Sequence, residues 1–260
     1  MSQPFELTEE FAAEEWVKIA QQTDILMRQT LSQSAFPVDP GSEFAADDAQ
    51  SHPYRVSQCA RGFINAGIDH MHALKTLIVD GRTLHSASDW TLMRAALEHF
   101  AVAFWVMNPS DRRIRIERAL RCAAQNFKDQ DKAMQKLLDP SDYDSLRSNL
   151  DSVAEVAASA GCSKKGAQGG YTSTEILQYA ERETSILPSP HVMWQVCSGF
   201  AHGRQWANLG MNDVEINPTS EEGVSAVRTT SDYKRLLAAG RPASILMAET
   251  VRLFTERSRA

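Results

Sequence analysis

The segment from Trp90 to Met107 constrains this chain most. It is apolar nearly all round the helix it would form, and Phe100 to Met107 are eight apolar residues in a row. A helix without a polar face has to lie inside a packed protein or inside a membrane. Eight residues fall far short of the ~20 that span a bilayer, and Arg94, Glu98 and His99 stand just before them. The segment is therefore expected inside a helical bundle, with no membrane as partner. A length of 260 residues is enough for one well-packed domain of several helices.

Start and stop signals divide the rest of the chain into further helices. A first helix is expected from about Thr8 to Ser32, packing through Phe11, Val17, Ile19, Leu26 and Leu31. Ser34 to Gln50 holds Pro37, Pro40, Gly41 and the acidic pair Asp47 and Asp48, and reads as a linker. A long second helix runs from about Pro53 to Val79, with Val56, Ala60, Phe63, Gly67, Met71, Leu74 and Ile78 as its buried face. Ser86 to Asp89 has the spacing of a capping box for the Trp90 helix, which ends at Asn108-Pro109. A fourth helix reaches about Leu138, and Pro140 opens a fifth that lasts to about Ala160. Gly161 to Gly170 reads as a connection. Thr172 to Glu175 caps a short helix, and Ser189-Pro190 caps another that runs to about Ala207. Val214 to Ile216 and Val224 to Val227 flank a turn and form the one expected β-hairpin. A last helical region from Ser231 is expected to break at Gly240 to Pro242. The predicted fold is all-α, an up-and-down helical bundle with one small β-hairpin near the C-terminus. Residues 1–50 are expected to be an N-terminal helix and linker arm, and residues 51–260 the bundle domain.

Composition narrows the setting. A net charge of −6 argues against a surface coated in basic residues for nucleic acid, although a local basic patch stays open. Cys59, Cys122, Cys162 and Cys197 fall at no metal-type spacing and read as reduced thiols. Glu6, Glu9, Glu10, Glu14 and Glu15 crowd the start, where a secretory signal needs a basic residue and an apolar run. A cytoplasmic protein without metal or cofactor is expected.

Polar residues on apolar helices mark the candidate sites. Arg94 and Glu98 lie four apart on one face of the most apolar helix, with Trp105 further along it. Burying such charges costs several kcal/mol per ion unless they are paired. A structural salt bridge and a ligand pocket both satisfy that demand. In the helix after Pro190, Trp194, Ser198, Ala201, His202 and Gln205 share one face, expected to meet Arg94 and Glu98. Ser198 and His202 have no strained turn or oxyanion hole nearby, which argues against a hydrolase dyad. His70 lies on the apolar side of the second helix and reads as a satisfied core residue. No Glu is followed three residues later by His, so a di-iron bundle is excluded. Arg112, Arg115, Arg118 and Arg121 form a slowly turning basic ridge on the fourth helix. Its acidic partner could be RNA, a phosphate-bearing ligand, the acidic N-terminal arm, or plain intrahelical neighbours.

Arg94-Ala-Ala-Leu-Glu-His99 resembles the motif of the HEPN superfamily of helical bundles, an arginine followed after four to six residues by a histidine on one helix. Many members are metal-independent ribonucleases, often in toxin or defence systems. The resemblance implies that Arg94 and His99 act at the scissile phosphate, commonly across a homodimer interface, with Arg112, Arg115 and Arg118 as a phosphate-binding surface. Residues five apart on a helix point about 140° away from each other. The Arg94 helix, Asn108-Pro109 and Ser198-x-x-x-His202-Gly203 together are also similar to helical proteins of actinobacteria, a likeness that brings no activity with it. Three classes stay open: a HEPN-like ribonuclease or inactive RNA-binding relative, a small-molecule bundle with Arg94, Glu98, Ser198 and His202 lining a pocket, and a non-catalytic interaction protein.

Overall fold

The computed structural model describes residues 7–32, 35–137, 139 and 146–260. Glu6, Ser34, Leu138 and Pro140, which figure in the expectations above, lie outside them. The fold is all-α, with eleven α-helices and a single two-stranded hairpin among the described residues. No described helix is long and apolar enough to cross a membrane. Packing divides the chain into two compact units.

The first unit draws on Met1–Gln33, Asn65–Phe100 and Glu181–Met247. Helix α1 (Glu9–Thr30) starts at Thr8, whose hydroxyl accepts from the Phe11 N–H. Its buried stripe is Ala12, Trp16, Ile19, Ala20, Thr23 and Leu26, a spacing of three and four centred on Trp16. Val17 and Leu31, expected in the core, are exposed, because Val17 sits one residue and so about 100° round from Trp16. The last helix of the chain, α11 (Tyr233–Ser258), gives its residues up to Met247 to this unit; it is unbroken and carries Pro242 in its interior. This corrects the expected break. Gly240 has a packing role instead: a Cβ there would run into Cζ2 and Cη2 of the fully buried Trp16. Gly240→Ala is expected to destabilise the chain by about 1–2 kcal/mol, read as a lower urea midpoint at unchanged slope. Overpacking of ~1–3 kcal/mol outweighs the ~1 kcal/mol that alanine gains in helix propensity.

Helices α3 (Val56–Lys75) and α4 (Ser88–Met107) give their Asn65–Lys75 and Ser88–Phe100 portions to this unit. A π-helical turn, Thr76–Asp80, extends α3. Gly67 lets the Phe100 ring close on α3, since a Cβ would stand 2.5 Å from its Cε1. The capping at the start of α4 differs from the expected box. The helix begins at Ser88, and the buried Asp89 carboxylate accepts from the His85 N–H at 2.8 Å.

Helix α9 (Pro190–Ala201) is capped by the Ser189 hydroxyl as expected, but it ends six residues early. Gly203 turns the chain at φ +62°, a conformation glycine adopts without penalty, and α10 (Gln205–Met211) follows. The hairpin pairs β1 (Asp213–Pro218) antiparallel with β2 (Ser225–Thr230), from Asp213 opposite Thr230 to Pro218 opposite Ser225.

The second unit draws on Ser34–Ile64, Ala101–Ala180 and Ala248–Ala260. Helix α2 (Glu43–Ser51) lies within the stretch that reads as a linker, with Phe44 and Asp47 fully buried. Helices α5 (Arg112–Met134), α6 (Leu146–Ser159), α7 (Lys164–Ala167) and α8 (Ser173–Glu183) follow, the last giving only its residues up to Ala180 to this unit. The Thr172 hydroxyl accepts from the Glu175 N–H, which starts α8 where the capping box places it. Phe36 and Phe44 pack on Phe254.

Candidate functional site

The Arg94 side chain crosses from α4 to α9. Its Nε donates to Ser198 Oγ at 3.0 Å and its Nη2 lies 3.3 Å from Glu98 Oε2. The guanidinium sits over the Trp194 ring, 5.6 Å from its centroid, and Trp194 Nε1 donates to Glu98 Oε2 at 3.1 Å. Arg94, Glu98, Trp194 and Ser198 therefore form one closed set of contacts, as their faces suggest. The set is not sealed, because the Arg94 side chain is 30% exposed and that of Glu98 26%. Of the donors a guanidinium carries, Nε and one Nη2 hydrogen are committed to Ser198 and Glu98. An arginine held by a carboxylate, a hydroxyl and an aromatic face is pre-oriented for a second anion arriving from solvent.

His99 takes the other edge of α4. Its Nδ1 lies 2.7 Å from the Ala95 carbonyl oxygen, and its ring stands 5.2 Å from that of His70 on α3. At about 100° per residue, Thr91, Ala95 and Glu98 share one strip of α4, with Arg94 on one edge and His99 on the other. Thr91 is exposed, and Ala95 and Glu98 are half-buried. An accessible strip of α4 thus runs between an arginine anchored on α9 and a histidine packed on α3.

Burial, and after it the neighbouring His99, push the His70 pKa below the ordinary value, against a smaller upward pull from Asp69. In the window between the lowered folded value and the unfolded ~6.5, the unfolded chain binds the extra proton. This contribution to stability is therefore complete above ~6.5 and is lost as pH falls through the folded value. Thermal melts from pH 8 to pH 5 are expected to show a decline that flattens in His70→Phe.

The other expected residues fall elsewhere. His202 is the C-cap of α9 and is exposed, and Gln205 opens α10. Trp105 belongs to the second unit, where it is buried with the guanidiniums of Arg118 and Arg121 each 4.9 Å from its ring centroid. The arginine ridge there has partners from the chain itself. Asp47, with no exposed surface, accepts from Arg112 Nε at 2.9 Å and from Arg115 Nε at 2.7 Å. Arg115 also donates to the carbonyls of Pro109 and Ser110. Arg118 Nη1 donates to the Trp105 carbonyl, and Arg121 pairs with Glu175. A cleft of ≈ 370 Å³ lined by Arg113, Arg118, Arg121, Glu117 and Ser163 flanks the ridge. Among the described residues no group of three His, Cys, Asp or Glu side chains is placed to hold a metal ion.

Two residues of the first unit were missed from sequence. Glu181 and His191 extend the Trp194 cluster: the His191 ring stacks on Trp194 at 6.5 Å and 18°, and its Nδ1 lies 3.4 Å from Glu181 Oε2. The signal was there, since His191, Trp194 and Ser198 step by three and four along one helix face. No family model, no curated protein and no solved structure matches the chain.

Proposed function

We propose that this chain is a cytoplasmic RNA-acting protein of HEPN-like type, in which Arg94 holds a phosphodiester at the open strip of α4. What carries the reading is that strip, bordered by a pre-oriented, part-exposed arginine and a half-buried histidine. Guanidinium groups match phosphate geometry with paired N–H donors. Histidine exchanges a proton near neutral pH, as cleavage of RNA at its own 2′-hydroxyl requires. In that reaction the base takes the hydroxyl proton, the 2′-oxygen attacks phosphorus, and the 5′-oxygen leaves protonated.

Within one chain Arg94 and His99 lie on opposite edges of the strip. A homodimer, as the resemblance implies, would bring Arg94 of one protomer to His99 of its partner. Incubation of the purified protein with end-labelled single-stranded RNA in the presence of a chelator tests this. Products with a 2′,3′-cyclic phosphate end, lost in folded Arg94→Ala and His99→Ala, support a ribonuclease. Binding without cleavage, lost in Arg94→Ala alone, supports an RNA-binding relative. Arg94-dependent binding of inorganic phosphate with none of RNA would favour a small anionic ligand, and indifference to both probes would sink the reading.

A further inference from the structure

We infer that Cys59 and Cys122 form a redox site, two thiols that hydrogen peroxide converts to a disulfide joining α3 to α5; this stands apart from the RNA reading above. Both cysteines belong to the second unit. Asp47 on α2 meets Arg112 and Arg115 at the start of α5, and the Tyr54 ring meets that of Phe127 further along it, edge to face at 6.0 Å. The chain then enters α3 and returns to α5 at Cys59, whose thiol is within hydrogen-bonding reach of Cys122. Tyr54 precedes Cys59 by five residues, as Cys122 precedes Phe127. The ring contact and the thiol contact therefore set one register, in which the start of α3 retraces α5.

The two thiols differ in access. Cys59 is half-buried, whereas Cys122 is 7% exposed. Burial, and after it the Cys59 thiol beside it, hold the Cys122 pKa well above the ordinary value, against a smaller downward pull from Arg121. Cys122 is the protonated, shielded partner, and peroxide reacts first at Cys59. The Cys59 sulfur attacks one peroxide oxygen, the O–O bond breaks, and the other oxygen leaves as water, giving the sulfenic acid. The Cys122 sulfur then attacks the Cys59 sulfur. The S–S bond forms, the S–OH bond breaks, and the hydroxyl leaves as a second water with the Cys122 proton. Two electrons have passed from the dithiol to peroxide, and a dithiol reductant reverses the bridge by exchange. Cys162 supplies the contrast: it is half-buried like Cys59, but its thiol donates to the Arg113 carbonyl instead of meeting a second thiol.

The experiment treats the reduced, folded chain with hydrogen peroxide, blocks the remaining thiols with iodoacetamide in denaturant, and maps tryptic peptides by mass spectrometry. Residues 56–61 are expected to be joined to residues 122–128, with the thiol count down from four to two and restored by dithiothreitol. Cys59→Ala is expected to abolish the link and leave Cys122 open to alkylation. Cys122→Ala should leave Cys59 as a sulfenic acid, captured by dimedone in place of the link. Cys59→Ala, at the half-buried position, carries the test if Cys122→Ala fails to fold. Cys59 and Cys122 both alkylated after peroxide would overturn the site. Links that take in Cys162 or Cys197 as readily, or a link that forms only in denaturant, would overturn it too, because neither needs the folded contact. No RNA enters these measurements, so their failure leaves the Arg94 site standing.

Discussion

Asp47→Ala is expected to destabilise the protein by about 3–5 kcal/mol, seen as a large fall in the urea midpoint followed by tryptophan fluorescence. Asp47 has no exposed surface, and Arg115, 1% exposed, makes two of its hydrogen bonds to that carboxylate, at 2.7 and 3.1 Å. Truncating the acid leaves a guanidinium in the interior with Glu43, itself half open to water, as its remaining counter-charge. The penalty is the uncompensated charge and not the worth of the pair. Two companions separate these. Arg112→Ala removes a partner of the same carboxylate at a side chain 40% exposed, and is expected to cost less than about 1 kcal/mol. Asp47→Leu combined with Arg115→Met removes both buried charges and is expected to recover part of the loss. Recovery is partial because the Pro109 and Ser110 carbonyls lose their donor with Arg115.

That pair also shows where reading a sequence stops. The arginine ridge was legible from its repeat of three, and an acidic segment of the same chain was among its conceivable partners. The particular acid was not legible. Asp47 is 68 residues from Arg115 and sits among prolines and a glycine that signal a connection. Local pattern carries no information about which distant element a short helix meets. Arg94 and Glu98 were legible because four residues along a helix bring them together by geometry alone. Their contact with Ser198 and Trp194 could be anticipated because an apolar helix with charges on it must find polar company. His70 reads from sequence as a core residue but is only half-buried, and its neighbour His99 was not foreseen, since both rings reach that contact only through the packing of α3 on α4. Caps set by adjacent residues, as at Ser189 and Thr172, were recoverable. The break expected at Pro242 was not there, because tertiary packing of the surrounding turns overrides the single hydrogen bond that a proline removes.

Arg94→Ala is expected to weaken binding of single-stranded RNA by about 10- to 100-fold, the range for losing a hydrogen bond to a charged group. The slope of log affinity against log salt should become shallower by about one, because one phosphate contact has gone. Arg94→Lys keeps the charge and loses the planar fork, so it should restore the salt slope without restoring the affinity. A purely structural role predicts otherwise. The Arg94–Glu98 contact is part-exposed, and such pairs contribute roughly 0–1 kcal/mol to stability. Glu98 also keeps the Trp194 indole N–H as a donor when Arg94 is removed. The alanine variant should therefore melt within a few degrees of wild type while its RNA affinity falls, and it is this separation that assigns Arg94 to the ligand. A large drop in melting temperature with unchanged affinity per folded molecule would instead make the cluster a packing device between α4 and α9.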